Sequence, residues 1–76
     1  MVNIRKLKGK MVEKGIPISE VAKSLGVDRS TLYRKLKGGG KNITIKDANL
    51  LVKTLELDPV EAVEIFFSQN VARNAN

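Results

Sequence analysis

The chain has 76 residues, of which 14 are basic and 8 acidic, giving a formal net charge of +6, and it contains no cysteine or histidine. This length fits one small domain, and the missing residue types exclude disulfides, thiolate zinc sites and cysteine or histidine nucleophiles. We therefore expect no metal, no cofactor, no small-molecule substrate and no enzymatic activity. Cations interrupt the apolar residues of the first ten positions, so we expect neither secretion nor membrane insertion, and a cytoplasmic protein.

Apolar residues recur at helical spacing in the first part of the chain, and no strand pattern is present. The first helix follows Asn3, a candidate N-cap, and stops at Gly15. The second is predicted to begin with Pro17 as its first residue, or with Ser19 as the cap of a shorter version. It ends at Gly26, because glycine readily adopts the positive φ that closes a helix.

A third helix is predicted from its N-cap, Asp28, to about Lys37. Residues 38–42 are predicted to form a loop, since the three consecutive glycines at its start carry too much backbone entropy for a helix. Thr44 and Asp47 have the spacing of a capping box at the start of a fourth helix. The sequence therefore predicts a break between two helices at the glycines.

The fifth helix has the clearest start signal of the chain. Asp58 is a candidate N-cap, Pro59 suits the first helical position, and Glu61 has the spacing of a capping box. We expect one domain over residues 1–69, and a frayed tail over residues 70–76.

The basic charge is concentrated in one part of the chain. Residues 1–46 contain twelve basic and three acidic side chains, whereas residues 47–76 contain two basic and five acidic ones. A local excess of this kind indicates a polyanionic partner, with nucleic acid ahead of an anionic membrane, and a solubilising surface as the alternative. Three lysines on one side of the first helix are expected to add long-range attraction: Lys6, Lys10 and Lys14.

Residues 17–37 have the pattern of a helix-turn-helix motif, in which the second helix lies in the DNA major groove. The residues predicted to pack within the motif are Val21, Ala22, Leu25, Gly26, Val27 and Leu32. At about 100° per residue, Leu32 and Leu36 point to one side of the third helix. The opposite side carries Ser30, Tyr33, Arg34 and Lys37.

The run from Ile18 to Leu32 closely resembles the Cro and lambda-repressor-like (XRE) helix-turn-helix family, and residues 48–58 resemble the fourth helix of that family and the start of its fifth. The resemblance implies an all-α, compact five-helix lambda-repressor-like domain. It also implies a sequence-specific regulator of transcription that binds double-stranded DNA, a repressor of the Cro type. Residues 30–36 and 65–67 resemble small regulators of phages and prophages of Gram-positive bacteria.

Two positions depart from the pattern of that family. Ile18 stands where the family often has a glutamine that contacts phosphate, so that contact is not assigned here. Lys35 stands where an apolar residue is usual, and Leu36 is expected to take over its packing.

By position, the resemblance implies that the third helix reads bases. Its base-reading residues are Arg29, Ser30 and Arg34, and Tyr33 contacts either a thymine methyl or a phosphate. Arginine suits guanine because its planar fork matches O6 and N7 together. For Tyr33 the alternative is an ordinary surface tyrosine, and for the two arginines it is a solvated helix face.

The segment around the glycine loop is predicted to contact phosphates, with the N-terminus of the fourth helix aimed at the DNA backbone. The residues assigned to these contacts are Lys37, Lys41, Asn42 and Thr44. The alternative is a merely soluble glycine loop.

One recognition helix reads only a few base pairs, so we expect a homodimer on two operator half-sites. The predicted pairing surface consists of Val63, Phe66 and Phe67, and the alternative is that the two phenylalanines close the core. Two rival functions stay open: a protein-interaction module such as an antirepressor, and a DNA-binding protein of the Fis type.

Overall fold

Five α-helices form most of residues 2–67, the part of the chain that the computed structural model describes. In chain order they are α1 (Ile4–Lys14), α2 (Ile18–Leu25), α3 (Arg29–Leu36), α4 (Ile45–Thr54) and α5 (Pro59–Phe66), with a short 3-10 turn at Gly38–Gly40. The predicted all-α class with five helices is confirmed. None of the described helices is long and apolar enough to cross a membrane. The tail predicted for residues 70–76 lies outside the described residues.

Side-chain caps fix the starts of α1, α3, α4 and α5 at the predicted residues. Asn3 accepts a hydrogen bond from the backbone of the first turn of α1. Thr44 and Asp47 form a complete capping box at α4, and Asp58 and Glu61 form another at α5. Because each cap satisfies backbone N–H groups that have no partner within the helix, these helices begin where the sequence predicts.

The second helix begins one residue later than predicted. Pro17 has φ −71° and ψ 158°, which is extended backbone, and α2 starts at Ile18. The carbonyl oxygen of Pro17 accepts the N–H of Val21 at 3.1 Å, so Pro17 is the N-cap. Ser19 lies inside the helix and is not a cap. The third helix ends at Leu36, one residue before the predicted end.

The core lies where α2 packs against α3 and α4, and where α1 packs against α5. Its members are buried apolar side chains from all five helices and the residues that follow α4. They are Leu7, Met11, Val21, Ala22, Leu32, Leu36, Leu51, Leu55, Leu57, Ile65 and Phe66.

Phe66 belongs to this core, which corrects its assignment to a pairing surface. Its side chain is 9% exposed, beside the fully buried Ile65. Val63, on the outer side of α5, is 48% exposed, and Phe67, which follows the helix as its C-cap, is 57% exposed. Of the three residues of the predicted pairing surface, two therefore face solvent.

The glycine turn packs against the start of α1. The N–H of Val2 donates to the carbonyl oxygen of Gly39 at 3.2 Å. Gly40 has φ +73°, and a Cβ atom there would lie 2.8 Å from Cδ1 of Ile4 and 2.9 Å from Cβ of Val2. Gly40 is therefore required both by its backbone conformation and by the close approach of α1.

Candidate nucleic-acid interface

The turn between α2 and α3 fixes the angle at which α3 is held. Gly26 has φ +73°, and the N–H groups of Gly26 and Val27 donate to the carbonyl oxygens of Lys23 and Ala22, both at 3.0 Å. This pair of bonds is a Schellman motif, which ends one helix and redirects the chain. The predicted packing residues comprise three buried ones (Val21, Ala22, Leu32), two half-buried ones (Leu25, Val27) and the exposed Gly26.

Asp28 caps α3 at the turn. One of its carboxylate oxygens accepts the backbone N–H of Thr31 at 2.7 Å. That hydrogen bond holds the pKa of the Asp28 carboxyl below its ordinary value, because it favours the charged form. The cap therefore fixes the first turn of α3, which carries Arg29 and Ser30.

The outer side of α3 is polar and open to solvent. Leu32 and Leu36 are buried on the inner side of this helix. The exposed residues on the outer side, here called the recognition face, are Ser30, Tyr33, Arg34 and Lys37. Arg29 is also exposed, in the first turn. Ser30, Tyr33 and Arg34 thus share one exposed side of α3, and Arg29 is exposed at the start of the helix.

Arg34 is held along the surface of α3. Its guanidinium donates to Oγ1 of Thr31 at 3.0 Å, one turn earlier in the helix. A guanidinium has five N–H donors, so this bond leaves others free for a ligand. The arrangement can therefore present a planar donor fork to a base edge or a phosphate.

The segment between the glycine turn and α4 places Lys41, Asn42 and Thr44 on the surface. Oγ1 of Thr44 accepts the backbone N–H of Asp47 at 3.0 Å, which leaves its own hydroxyl hydrogen able to donate to an anion. The N-terminus of α4 carries a partial positive charge that also favours an anion. Three of the four predicted phosphate-contact residues thus lie beside the start of a helix whose dipole suits phosphate, and the fourth, Lys37, lies at the end of α3.

An ion pair that the sequence analysis missed joins α3 to α4. Nζ of Lys35 lies 2.9 Å from Oδ2 of Asp47, and the two side chains are 20% and 11% exposed. Burial raises the pKa of Asp47, but hydrogen bonds from Lys35 and Thr44 outweigh it and leave that pKa below its ordinary value. The available sequence signal was Lys35, a basic residue at a position that is usually apolar in the family that the chain resembles. The partner of Lys35 is Asp47.

Two lysines of α1 form ion pairs with α5. Nζ of Lys6 lies 2.5 Å from Oε1 of Glu64, and Lys10 pairs with Glu61 and with Glu13. The bond to Glu61 raises the pKa of Lys10, and the same bond lowers the pKa of Glu61. Lys6 and Lys10 were expected to add long-range attraction for a polyanion, but acidic neighbours offset much of their charge.

An open apolar groove lies next to the recognition face. Tyr33 lines one side of it, with its side chain 50% exposed. The apolar residues along the groove are Met11, Val12, Ile16, Pro17 and Ile18, and Lys8 lies at its margin. Tyr33 therefore stands between an apolar surface and the polar residues of α3.

Residues 7–39 match the family model described as the helix-turn-helix domain of resolvase. The match runs from within α1 through α2, the turn and α3 into the glycine turn, and so it covers the geometry described above. Neither the curated proteins nor the solved structures include a significant match. Together, the match and the fold support a helix-turn-helix domain that binds DNA. The matched family is not the Cro family, so the type of regulator stays a prediction.

Proposed function

We propose that this chain is a sequence-specific regulator of transcription that binds double-stranded DNA, a repressor of the Cro type. The observation that carries the proposal is the recognition face, an exposed polar surface on the second helix of a helix-turn-helix. Such a helix fits the major groove, where each base pair presents a distinct pattern of donors and acceptors.

The proposed division of labour gives base reading to α3. Arg29, Ser30 and Arg34 contact base edges, and the arginines select guanine through paired bonds to O6 and N7. Tyr33 contacts a thymine methyl rather than a phosphate. The apolar groove that its ring lines supports this choice, because a methyl group gains from an apolar contact.

The proposed phosphate contacts surround the glycine turn. Lys37, Lys41, Asn42 and Thr44 bind the DNA backbone and hold α3 in register with the bases. Their exposure, together with the N-terminus of α4, supports this role.

Pairing of two copies on neighbouring half-sites completes the proposal, because one recognition helix reads too few base pairs for useful specificity. With Phe66 in the core, the proposed pairing surface is reduced to Val63 and Phe67. Phe67→Glu should then weaken cooperative operator binding and leave the melting temperature unchanged. Equal loss of helicity and binding would instead assign Phe67 to the core.

A second candidate follows from the family match: the chain is the DNA-binding part of a recombinase. Both candidates require DNA binding and differ in the site that is bound. A regulator selects sites that overlap promoters, whereas a recombination unit selects sites at the ends of a mobile segment. The match favours this candidate, and the resemblance of residues 18–32 and 48–58 to the Cro family favours the first.

The deciding experiment selects bound fragments from the genome that encodes the chain and measures their affinity by fluorescence anisotropy in ~150 mM salt, where nonspecific binding is weak. A Cro-type regulator should enrich a short two-fold symmetric site at a promoter and bind it about a thousandfold or more tighter than random DNA. Enrichment of mobile-segment ends would favour the recombinase alternative. No preference for any fragment, combined with tight binding to a repressor protein, would favour the protein-interaction module and contradict the proposal.

A further inference from the structure

The link between α3 and α4 is held by side chains as well as by the backbone. Nζ of Lys35 donates to Oδ2 of Asp47 at 2.9 Å, and that same oxygen accepts the backbone N–H of Thr44 at 3.1 Å. One carboxylate oxygen therefore binds both the helix that carries the recognition face and the residue that begins α4.

The backbone of this link is intrinsically permissive. Gly38, Gly39 and Gly40 all have positive φ, between 63° and 73°, and glycine samples more of φ/ψ space than any other residue. A chain of three glycines alone restrains the two helices weakly. The ion pair spans these glycines and adds a side-chain restraint to the backbone hydrogen bonds that Gly40 makes with Lys37 and Ile43.

Because Asp47 is buried, the ion pair favours those arrangements of α3 and α4 in which Lys35 reaches it. Asp47 is 7% exposed overall and is the buried charged residue of the described part of the chain. A buried carboxylate that loses its cation keeps the cost of desolvation without the compensating attraction. The positions of α3 and of residues 41–44 in which Lys35 reaches Asp47 are therefore favoured over the alternatives.

We propose that Lys35 is a positioning residue that fixes the recognition face relative to the phosphate-contact segment, residues 41–44, so that base reading and phosphate binding reinforce each other. The inference rests on the proposed function. It assigns to the Lys35–Asp47 pair no contact with DNA, and it makes sequence preference depend on a side chain that never touches a base.

The chain offers a matched control for testing this role. Lys10 also forms an ion pair between helices, with Glu61 across α1 and α5, and it is likewise mostly buried. Lys35→Met and Lys10→Met each remove one positive charge and keep an unbranched side chain. The first leaves Asp47 without its lysine, and the second leaves Glu61 and Glu13 without theirs. Because a lost charge weakens binding to operator and to random DNA alike, a difference between the two variants in the ratio of these affinities points to positioning.

The measurement is the affinity for the selected operator and for random DNA, at a temperature well below the melting temperature of each variant. Lys35→Met should reduce the ratio of operator to random affinity by about fivefold or more, the lower end of ordinary coupling between two sites. Lys10→Met should leave the ratio unchanged, and Lys35→Arg should restore most of it. An unchanged ratio for Lys35→Met, in a parent that does prefer its operator, would overturn the inference alone. A parent without any preference would overturn the proposed function.

A double-mutant cycle with Lys41→Ala tests the coupling directly. If the ion pair aligns the phosphate-contact segment with α3, Lys41→Ala should cost less operator affinity in the Lys35→Met background than in the parent. Asp47→Asn, which keeps an oxygen for the N–H of Thr44, should reproduce the effect of Lys35→Met. Additive effects of the two lysines, or full operator preference in Asp47→Asn, would contradict a positioning role.

Discussion

Basic side chains have different roles on two sides of this molecule, the α1–α5 side and the α3 side. On the α1–α5 side, Lys6 and Lys10 are paired with Glu64 and Glu61, and they join two helices. On the α3 side, the cations of the recognition face form no ion pair within residues 2–67. The count of basic residues therefore overstates the positive charge that is available to DNA. The acidic residues of α5, together with Glu13 and Asp47, decide which of the described cations remain open to a polyanion.

The largest expected effect comes from a substitution on the recognition face that leaves the ion pairs between α1 and α5 intact. Arg34→Ala should cost about 1–3 kcal/mol of binding free energy on the true operator, because a bidentate contact to guanine is lost. Binding to random DNA should change little, and Lys10→Ala should leave operator preference intact. The measurement is a pair of anisotropy titrations. If Arg34→Ala keeps its full preference, base reading would pass to Arg29 and Ser30 alone.

A smaller effect separates helix capping from DNA contact. Thr44→Ala should lower the free energy of unfolding by about 1 kcal/mol, because it removes the N-cap of α4. It should also weaken DNA binding, since the same hydroxyl is proposed to donate to a phosphate, whereas Thr44→Ser should keep both properties.

The control for Thr44 is Asp58, which caps the start of α5 on the α1–α5 side. Asp58→Ala removes the N-cap of α5 and should lower stability in urea unfolding without loss of DNA affinity. Equal loss of affinity in both variants would mean that Thr44 acts through the fold and makes no phosphate contact.

Local features of the fold were predictable because caps and glycines act within a few residues. Asn3, Asp28, Thr44 and Asp58 all cap their helices as the sequence indicates. Pro17 was misplaced by one residue because its ring fixes φ near −65°, a value that suits both an N-cap and a first helical residue. The ψ angle of Pro17, 158°, is extended and makes this residue the N-cap, but the sequence pattern does not specify that angle.

Features that depend on tertiary contacts were not predictable from the same patterns. Phe66 is the last residue of α5 and Phe67 is its C-cap, and the docking of α5 against α1 decides which of these adjacent aromatic residues is buried. The Lys35–Asp47 pair forms across the glycine turn, and no local period connects those two positions. The exposed positions of Ser30, Tyr33 and Arg34 were easier to predict, because the buried pair Leu32 and Leu36 fixes the outer side of α3.

The salt dependence of DNA binding should distinguish cations that contact phosphate from cations that are paired within the protein. Lys41→Ala should weaken binding to operator and random DNA by similar factors and reduce the log–log salt slope by about one, because one phosphate contact is lost. Lys6→Ala should change the slope by well under one, since Glu64 already offsets the charge of Lys6. Equal changes in slope would mean that the α1–α5 side also contacts DNA.

The smallest effect concerns two carboxylates, one on each side. Asp47 and Glu61 both have pKa values below their ordinary 3.8 and 4.5. Between the folded and unfolded pKa values the unfolded chain binds more protons, so the free energy of unfolding falls as pH falls through this window. Each carboxylate also accepts the backbone N–H of its capping partner, at 3.1 Å for Asp47 and 3.0 Å for Glu61. The two sites differ in burial, and the charge of Lys14 also lowers the pKa of Glu61.

Removal of the lysine partner should reveal that difference. In Lys35→Met the pKa of Asp47 should rise more than the pKa of Glu61 rises in Lys10→Met, because the Asp47 side chain is 11% exposed and that of Glu61 is 22% exposed. Carboxyl-carbon NMR titration of both variants measures the two shifts. Because a raised folded-state pKa brings Asp47 closer to its unfolded value, Lys35→Met should also lose less stability on acidification than the parent does. Equal shifts at the two carboxyls would show that the α3–α4 pair is no more sheltered from water than the α1–α5 pair.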